Sequence, residues 1–259
     1  MIAATRYVRL RFPPRTHGLA AVLTYASVVA LSVRTWPGVV PLLLGGITFV
    51  SLFLFLRLVD DLDDGEADAA GLRAGMVAVA AAVVLLNLQD HLALALAGGA
   101  CAAALAAPFL PRHGIKQPVV LFVAYEVAPL LVLAYGGVTA GAPPTVAVGA
   151  AVVLWSAYEH WKFTRKLDEP DYRPFGLGQG ARLVAAGALS ATGVVVAALI
   201  AVPWVVPVAL GLLAAAFAAG ALSWWRAGRR GGTWWSGLTY VLAVDLAVLV
   251  LCTTWGVWE

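Results

Sequence analysis

Six of the chain's fourteen acidic residues crowd into one stretch, Arg57-Leu-Val-Asp60-Asp61-Leu-Asp63-Asp64-Gly65-Glu66-Ala-Asp68. At about 100° per residue, Asp60, Asp64, Asp68 and Asp61 fall within roughly 100° of arc if the helix persists past Gly65. Asp63 lies off that face. Carboxylates so close repel one another and lose hydration, so a cation is their natural compensator. Their ligand atoms are all oxygen, which suits a hard ion. Mg²⁺ (or Mn²⁺) shared with a substrate phosphate fits a site with few carboxylates and no closed cage. The competing reading is a solvated acidic loop. Such a loop has no reason for i, i+4, i+8 registration.

A second cluster runs Trp155-Ser-Ala-Tyr158-Glu159-His160-Trp161-Lys162-Phe163-Thr-Arg165-Lys166, followed by Asp168, Glu169 and Asp171. Helical spacing gathers Arg165, Tyr158, Lys162, Trp155 and Lys166 within roughly 100° of arc, with His160 pointing elsewhere. Arginine and lysine there can hold phosphate oxygens. The alternative is interfacial snorkelling. A metal-binding acidic face opposed to a cationic face is what a diphosphate needs, with metal on some oxygens and ammonium or guanidinium on others. Two further acids, Glu126 and Asp245, sit within apolar runs, where an acid is a functional candidate by default.

These clusters must be positioned by a membrane bundle. Of 259 residues 62% are hydrophobic and 12% charged, with a mean hydropathy of +0.88. A soluble domain has about half and about a quarter respectively, and disorder needs low hydrophobicity and high charge. A spanning helix takes roughly 20 apolar residues. Apolar runs predict nine, at about 18–35, 37–59, 72–88, 91–107, 118–136, 144–163, 181–201, 203–224 and 234–257, with boundaries good to about four residues. The whole chain, 1–259, reads as one transmembrane domain. The run from Gly18 to Val33 follows four arginines but has no clear cleavage site, so it reads as a retained helix.

Sixteen of the seventeen Lys and Arg fall in the N-terminal arm, near the ends of helices two and six, or in the loops after helices two, four, six and eight; Arg34 alone falls on the other side. The positive-inside rule then predicts a cytoplasmic N-terminus and cytoplasmic active-site loops, with the C-terminus outside. Trp36, Trp204, Trp234, Trp235, Trp255 and Trp258 fall at span ends, as interfacial anchors should. The basic balance is thereby explained without nucleic acid. Cys101 and Cys252 read as small core residues. Gly45-Gly46 and Gly98-Gly99 are expected at close helix contacts, and Asn87, Gln89, Asp90 and His91 as an outer loop.

Asp60-Asp61-x-x-Asp64-x-x-x-Asp68 resembles the first signature of the UbiA superfamily of intramembrane prenyltransferases, N-D-x-x-D-x-x-x-D, with Asp60 in place of the leading Asn. The position of that motif after helix two, the nine-span count and a second polar motif after helix six are similar to that family. So is Leu110-Pro111-x-x-x-x-Lys116, beside the family's Tyr-Pro-x-x-Lys loop. The resemblance implies an all-α bundle of nine helices around a central cavity, with a Mg²⁺-bound prenyl diphosphate near the cytoplasmic face. The chain departs from the family at the second signature, where an acidic D-x-x-x-D gives way to Lys162, Arg165 and Lys166. Either Asp168 and Asp171 serve instead, or cations replace a second metal.

The expected function is ionisation of a prenyl diphosphate and transfer of the prenyl group to a small aromatic or lipid-like acceptor. Asp60, Asp64 and Asp68, assisted by Asp61, would hold the metal. Arg57, Lys116, Lys162, Arg165 and Lys166 would hold the diphosphate, with Lys162 and Tyr158 in catalytic roles. Rings such as Trp155, Tyr158 and Trp161 could face the allylic cation. A terpene cyclase would ionise the same substrate and capture the cation with its own double bond. A divalent-cation transporter would need polar groups across the midplane, and the acids cluster instead at one face.

Overall fold

The computed structural model describes residues 12–63, 69–164, 177–200, 202–227 and 237–254. Among these the chain is all-helical. The long helices are α1 (Leu19–Ser32), α2 (Val39–Asp63), α3 (Ala69–Leu86), α4 (His91–Ala106), α5 (Pro118–Thr139), α6 (Pro144–Thr164), α7 (Gln179–Leu199), α8 (Val205–Arg226) and α9 (Gly237–Thr254). A π turn, Pro14–Gly18, leads into α1, and one α-helical turn, Phe109–Arg112, links α4 to α5. Each long helix coincides with an apolar run read from the sequence. Among the described residues, five segments are long and apolar enough to cross a membrane: Val39–Asp63, His91–Arg112, Pro118–Thr139, Gln179–Leu199 and Val205–Ser223.

Local sequence sets the boundaries. Asp90 caps α4, its carboxylate accepting from the N–H groups of Leu92 and Ala93 at 3.0 and 2.9 Å. Pro118 opens α5, where a missing N–H costs nothing. Gly141, at φ 87°, ends α5 in the left-handed region that favours glycine, and Ala142 N–H closes onto the Gly137 carbonyl. α2 runs four residues beyond its expected end at 59, to Asp63, so the first acids of the cluster are helical.

Each helix packs on its sequence neighbours, and α9 returns to pack on α1. Further contacts of α1 with α5 and α6, and of α6 with α8 and α9, make α6 the most surrounded helix. Small residues allow close approach. Ala93, Ala97, Ala100 and Ala104 form a buried stripe on α4, which packs against α5. A Cβ at Gly137 would lie 2.9 Å from the Ala147 backbone, and one at Gly45 would lie 2.2 Å from the Tyr25 hydroxyl. The expected close contact thus holds at Gly45. It fails at Gly98, where a Cβ would meet nothing within 4 Å, because Gly98 faces outward on α4. The outer surface is apolar: Val39, Val77, Val119, Val184, Leu199 and Leu212 are largely exposed.

Asn87 stands in the turn after α3, as the loop reading expects, but its side chain is a buried node. Its amide donates to the Val83 carbonyl (2.8 Å) and approaches Thr48 Oγ1 (3.3 Å), while the Tyr135 hydroxyl donates to its Oδ1 at 2.8 Å. A polar side chain buried just beyond α3 is tolerated because its partners are internal.

Candidate functional site

At the end of α2, helical spacing puts Arg57 three and four residues before two aspartates. Its guanidinium bridges them, with Nη1 on Asp60 Oδ2 at 2.7 Å and Nη2 on Asp61 Oδ1 at 2.6 Å. The two carboxylates differ in surroundings: the Asp61 side chain is 0% exposed and that of Asp60 is 59% exposed. Asp63 turns elsewhere, to Arg112 Nη2 at 2.5 Å. The Phe109–Arg112 turn makes that meeting possible, and Gly114, at φ 85°, brings Ile115 N–H back to the Leu110 carbonyl. Nearby, burial first and the Arg57 guanidinium second lower the pKa of His17 below its ordinary 6.5.

The basic stripe of α6 divides between neighbours. Lys162 Nζ donates to Glu126 Oε1 of α5 at 2.5 Å and lies 3.3 Å from Glu159 Oε2. Trp155 Nε1 donates to the other oxygen of Glu126 at 2.9 Å. Glu126 and Glu159 are both buried and Lys162 is 27% exposed, so the ammonium reaches inward between two carboxylates. Tyr158, one turn away, engages different helices. Its hydroxyl donates to Asp245 Oδ1 of α9 at 2.8 Å, and Thr24 Oγ1 of α1 donates to Asp245 Oδ2 at 2.9 Å. Ser27 Oγ donates to the Asp245 backbone carbonyl at 3.1 Å. Tyr158 and Lys162 therefore do not form one cationic and phenolic patch. Helical projection places them on adjacent lines, and packing sends one to α9 and the other to α5.

His160 is structural in placement, buried beside the Ala186 carbonyl and Ser190 Oγ, with Nδ1 at 3.0 and 2.7 Å from them, and stacked on Tyr240. Beside it a small cavity of about 10 Å³ lies between α6, α7, α8 and α9, with Ser156, Ser190 and Tyr240 as its polar lining. Arg182, at the start of α7, is fully buried, and its Nε donates to the Phe163 carbonyl at 3.1 Å, in the last turn of α6. Lys116 lies exposed in the short stretch before α5. Cys101 and Cys252 are free thiols.

Asp64, Asp68, Arg165, Lys166, Asp168 and Asp171 lie outside the described residues. Among those described, no three His, Cys, Asp or Glu side chains gather in a group that could hold a metal ion. Asp60 and Asp61 are nonetheless adjacent all-oxygen donors of the kind a hard cation takes, and Mg²⁺ commonly uses only one or two carboxylates plus substrate phosphates. Sequence reasoning missed Glu159, Thr24, Ser27 and Arg182. Glu159 carried a signal, standing three residues before Lys162 at ion-pair spacing. Thr24 and Ser27 carried none, being common polar residues in an apolar run. No family model, no curated protein and no solved structure matches the chain.

Proposed function

We propose that the protein is an integral membrane enzyme of the UbiA kind, with nine spans around a central cavity, that ionises a prenyl diphosphate and transfers the prenyl group to a small aromatic or lipid-like acceptor. The observation that carries this reading is the end of α2. There Arg57 bridges a buried and an exposed aspartate at the tip of an otherwise apolar membrane helix. Carboxylates and guanidinium side by side at a membrane boundary suit a metal–diphosphate headgroup, while the hydrocarbon tail lies among the apolar helices.

In this reading Asp60 and Asp61 would hold Mg²⁺, together with Asp64 and Asp68 from the segment that follows. Mg²⁺ would act as a Lewis acid on the diphosphate oxygens. Arg57, Lys116, Arg165 and Lys166 bind the leaving group. Lys162, its ammonium paired with Glu126 and Glu159, ties α5 to α6 and so positions the end of α6 beside the headgroup. The aromatic rings of Trp155, Tyr158 and Trp161 line the path of the allylic chain and exclude water. The loops bearing these residues face the cytoplasm, as the distribution of Lys and Arg directs.

The test is release of diphosphate from prenyl diphosphates of several lengths by the full chain in lipid nanodiscs. Release is expected with Mg²⁺ and abolished by excess EDTA. It should fall on the order of a hundredfold or more in Asp61→Ala, the scale for one lost group that stabilises a transition state. No release at any chain length refutes the reading. A cyclic hydrocarbon formed without acceptor reassigns the same ionising site to a terpene cyclase.

A further inference from the structure

The Asp245 carboxylate is fully buried and meets two hydroxyl groups that also meet each other. Tyr158 Oη lies 2.8 Å from Oδ1, Thr24 Oγ1 lies 2.9 Å from Oδ2, and the two hydroxyl oxygens are 3.1 Å apart. Three groups are thus joined by three contacts. With Asp245 ionised, the set holds two protons, one on each hydroxyl, so only two contacts can be hydrogen bonds at once. One further proton completes the ring. Asp245 then donates to Tyr158, Tyr158 to Thr24, and Thr24 back to the second carboxylate oxygen, each group donating once. The same proton removes a negative charge from an apolar interior, where an isolated charge is costly.

Among the described residues, the groups around it do not supply a counter-charge. From α1 come Thr24 and Ser27, with Tyr25 the one titratable residue of that helix. From α6 comes Tyr158, while Glu159 and Lys162 pair toward α5 and His160 stacks on Tyr240. On α9 itself the other titratable groups are Tyr240 and Cys252, and the one charged residue of α8 is Arg226, in its last turn.

From this geometry we infer that Asp245, Tyr158 and Thr24 form a proton-accepting triad that takes up the proton released when the prenyl cation is quenched. The role in catalysis rests on the prenyl-transfer reading; the uptake of a proton does not. Diphosphate departure leaves an allylic cation. On its capture, an X–H bond of the acceptor, or a C–H bond beside a cyclised cation, breaks and its electron pair stays with the product. The proton lands on the phenol oxygen of Tyr158 as the phenol's own proton moves to Asp245 Oδ1. Charge balances, because one cation and one carboxylate become two neutral species.

Two measurements on the full chain in nanodiscs test this. The first is an infrared pH titration of the carboxylic-acid carbonyl stretch. A band of an acid in apolar surroundings should grow as pH falls, vanish in Asp245→Asn and shift in Tyr158→Phe and Thr24→Val. Absence of any band dependent on Asp245 from acid to alkaline pH overturns the triad. The second compares diphosphate released with prenylated or cyclised product formed. In Asp245→Asn that ratio should rise on the order of a hundredfold, the low end of what one positioned base contributes, with prenyl alcohol as the surplus. A parallel fall of both quantities makes Asp245 merely structural and overturns its catalytic role. If the unaltered protein releases no diphosphate, the prenyl-transfer reading fails, and the infrared titration still decides whether the triad takes a proton.

Discussion

The carboxylates at the tip of α2 and the carboxylate in the middle of α9 are satisfied in opposite ways. At the tip, the two guanidinium groups of Arg57 and Arg112 pair with the three carboxylates of Asp60, Asp61 and Asp63 and remain partly exposed. Inside, Asp245 has hydroxyl partners from Thr24 and Tyr158. Glu126 stands between these extremes, buried but reached by the ammonium of Lys162. Depth explains the difference. A long basic side chain can neutralise an acid while part of it stays near water, and where none reaches, hydroxyls are the donors that a packed bundle can supply without burying a second charge. An acid of the first kind already has a cation beside it. An acid of the second kind has no cation beside it among the described residues and is open to a proton.

That contrast breaks most visibly at Lys162. Lys162→Ala leaves Glu126 and Glu159 buried without the ammonium between them, and is expected to destabilise the protein by roughly 3–5 kcal/mol, the cost of breaking a buried pair. Unfolding of both proteins in mixed detergent measures it. Lys162→Ala combined with Glu126→Gln should recover much of the loss. A single variant as stable as the parent would mean that the pair carries no weight.

The hydroxyl-bound acid sharpens the comparison by grading its donors. Thr24→Val removes a bond to a carboxylate and should cost about 1.5–3 kcal/mol, whereas Ser27→Ala removes one to a neutral carbonyl and should cost about 1 kcal/mol. Equal losses in the same unfolding assay would say that Asp245 bears no charge at the assay pH. Arg112→Ala should cost only about 0.5 kcal/mol, because its pair with Asp63 is exposed. A loss several times larger would show that the α4–α5 turn anchors the tip of α2.

The smallest effect concerns pH. His17 titrates below its ordinary 6.5 in the folded protein because of burial and then Arg57. The unfolded chain therefore binds a proton first as pH falls, and this contribution to stability, present above 6.5, is lost on acidification toward the folded value. His17→Gln should flatten that part of the melting-temperature profile and leave the alkaline side unchanged. A profile identical to that of the parent would remove His17 from the account.

Composition and apolar run length were enough to establish helices long and apolar enough to cross a membrane, because a backbone in lipid must satisfy its own hydrogen bonds. Residues within one helix were legible too. The spacing Arg57, Asp60, Asp61 already contains both ion pairs at the tip of α2, since i+3 and i+4 neighbours must meet. Periodicity tells which face of a helix a residue occupies. It does not tell which helix that face will meet. Lys162 and Tyr158 stand on neighbouring lines of α6, yet one finds Glu126, 36 residues away, and the other finds Asp245, 87 residues away. Thr24 reaches Asp245 across 221 residues because α9 closes onto α1. Only tertiary packing decided those partners, because in an apolar bundle small-residue contacts choose helix neighbours and polar side chains bond to whatever that packing presents.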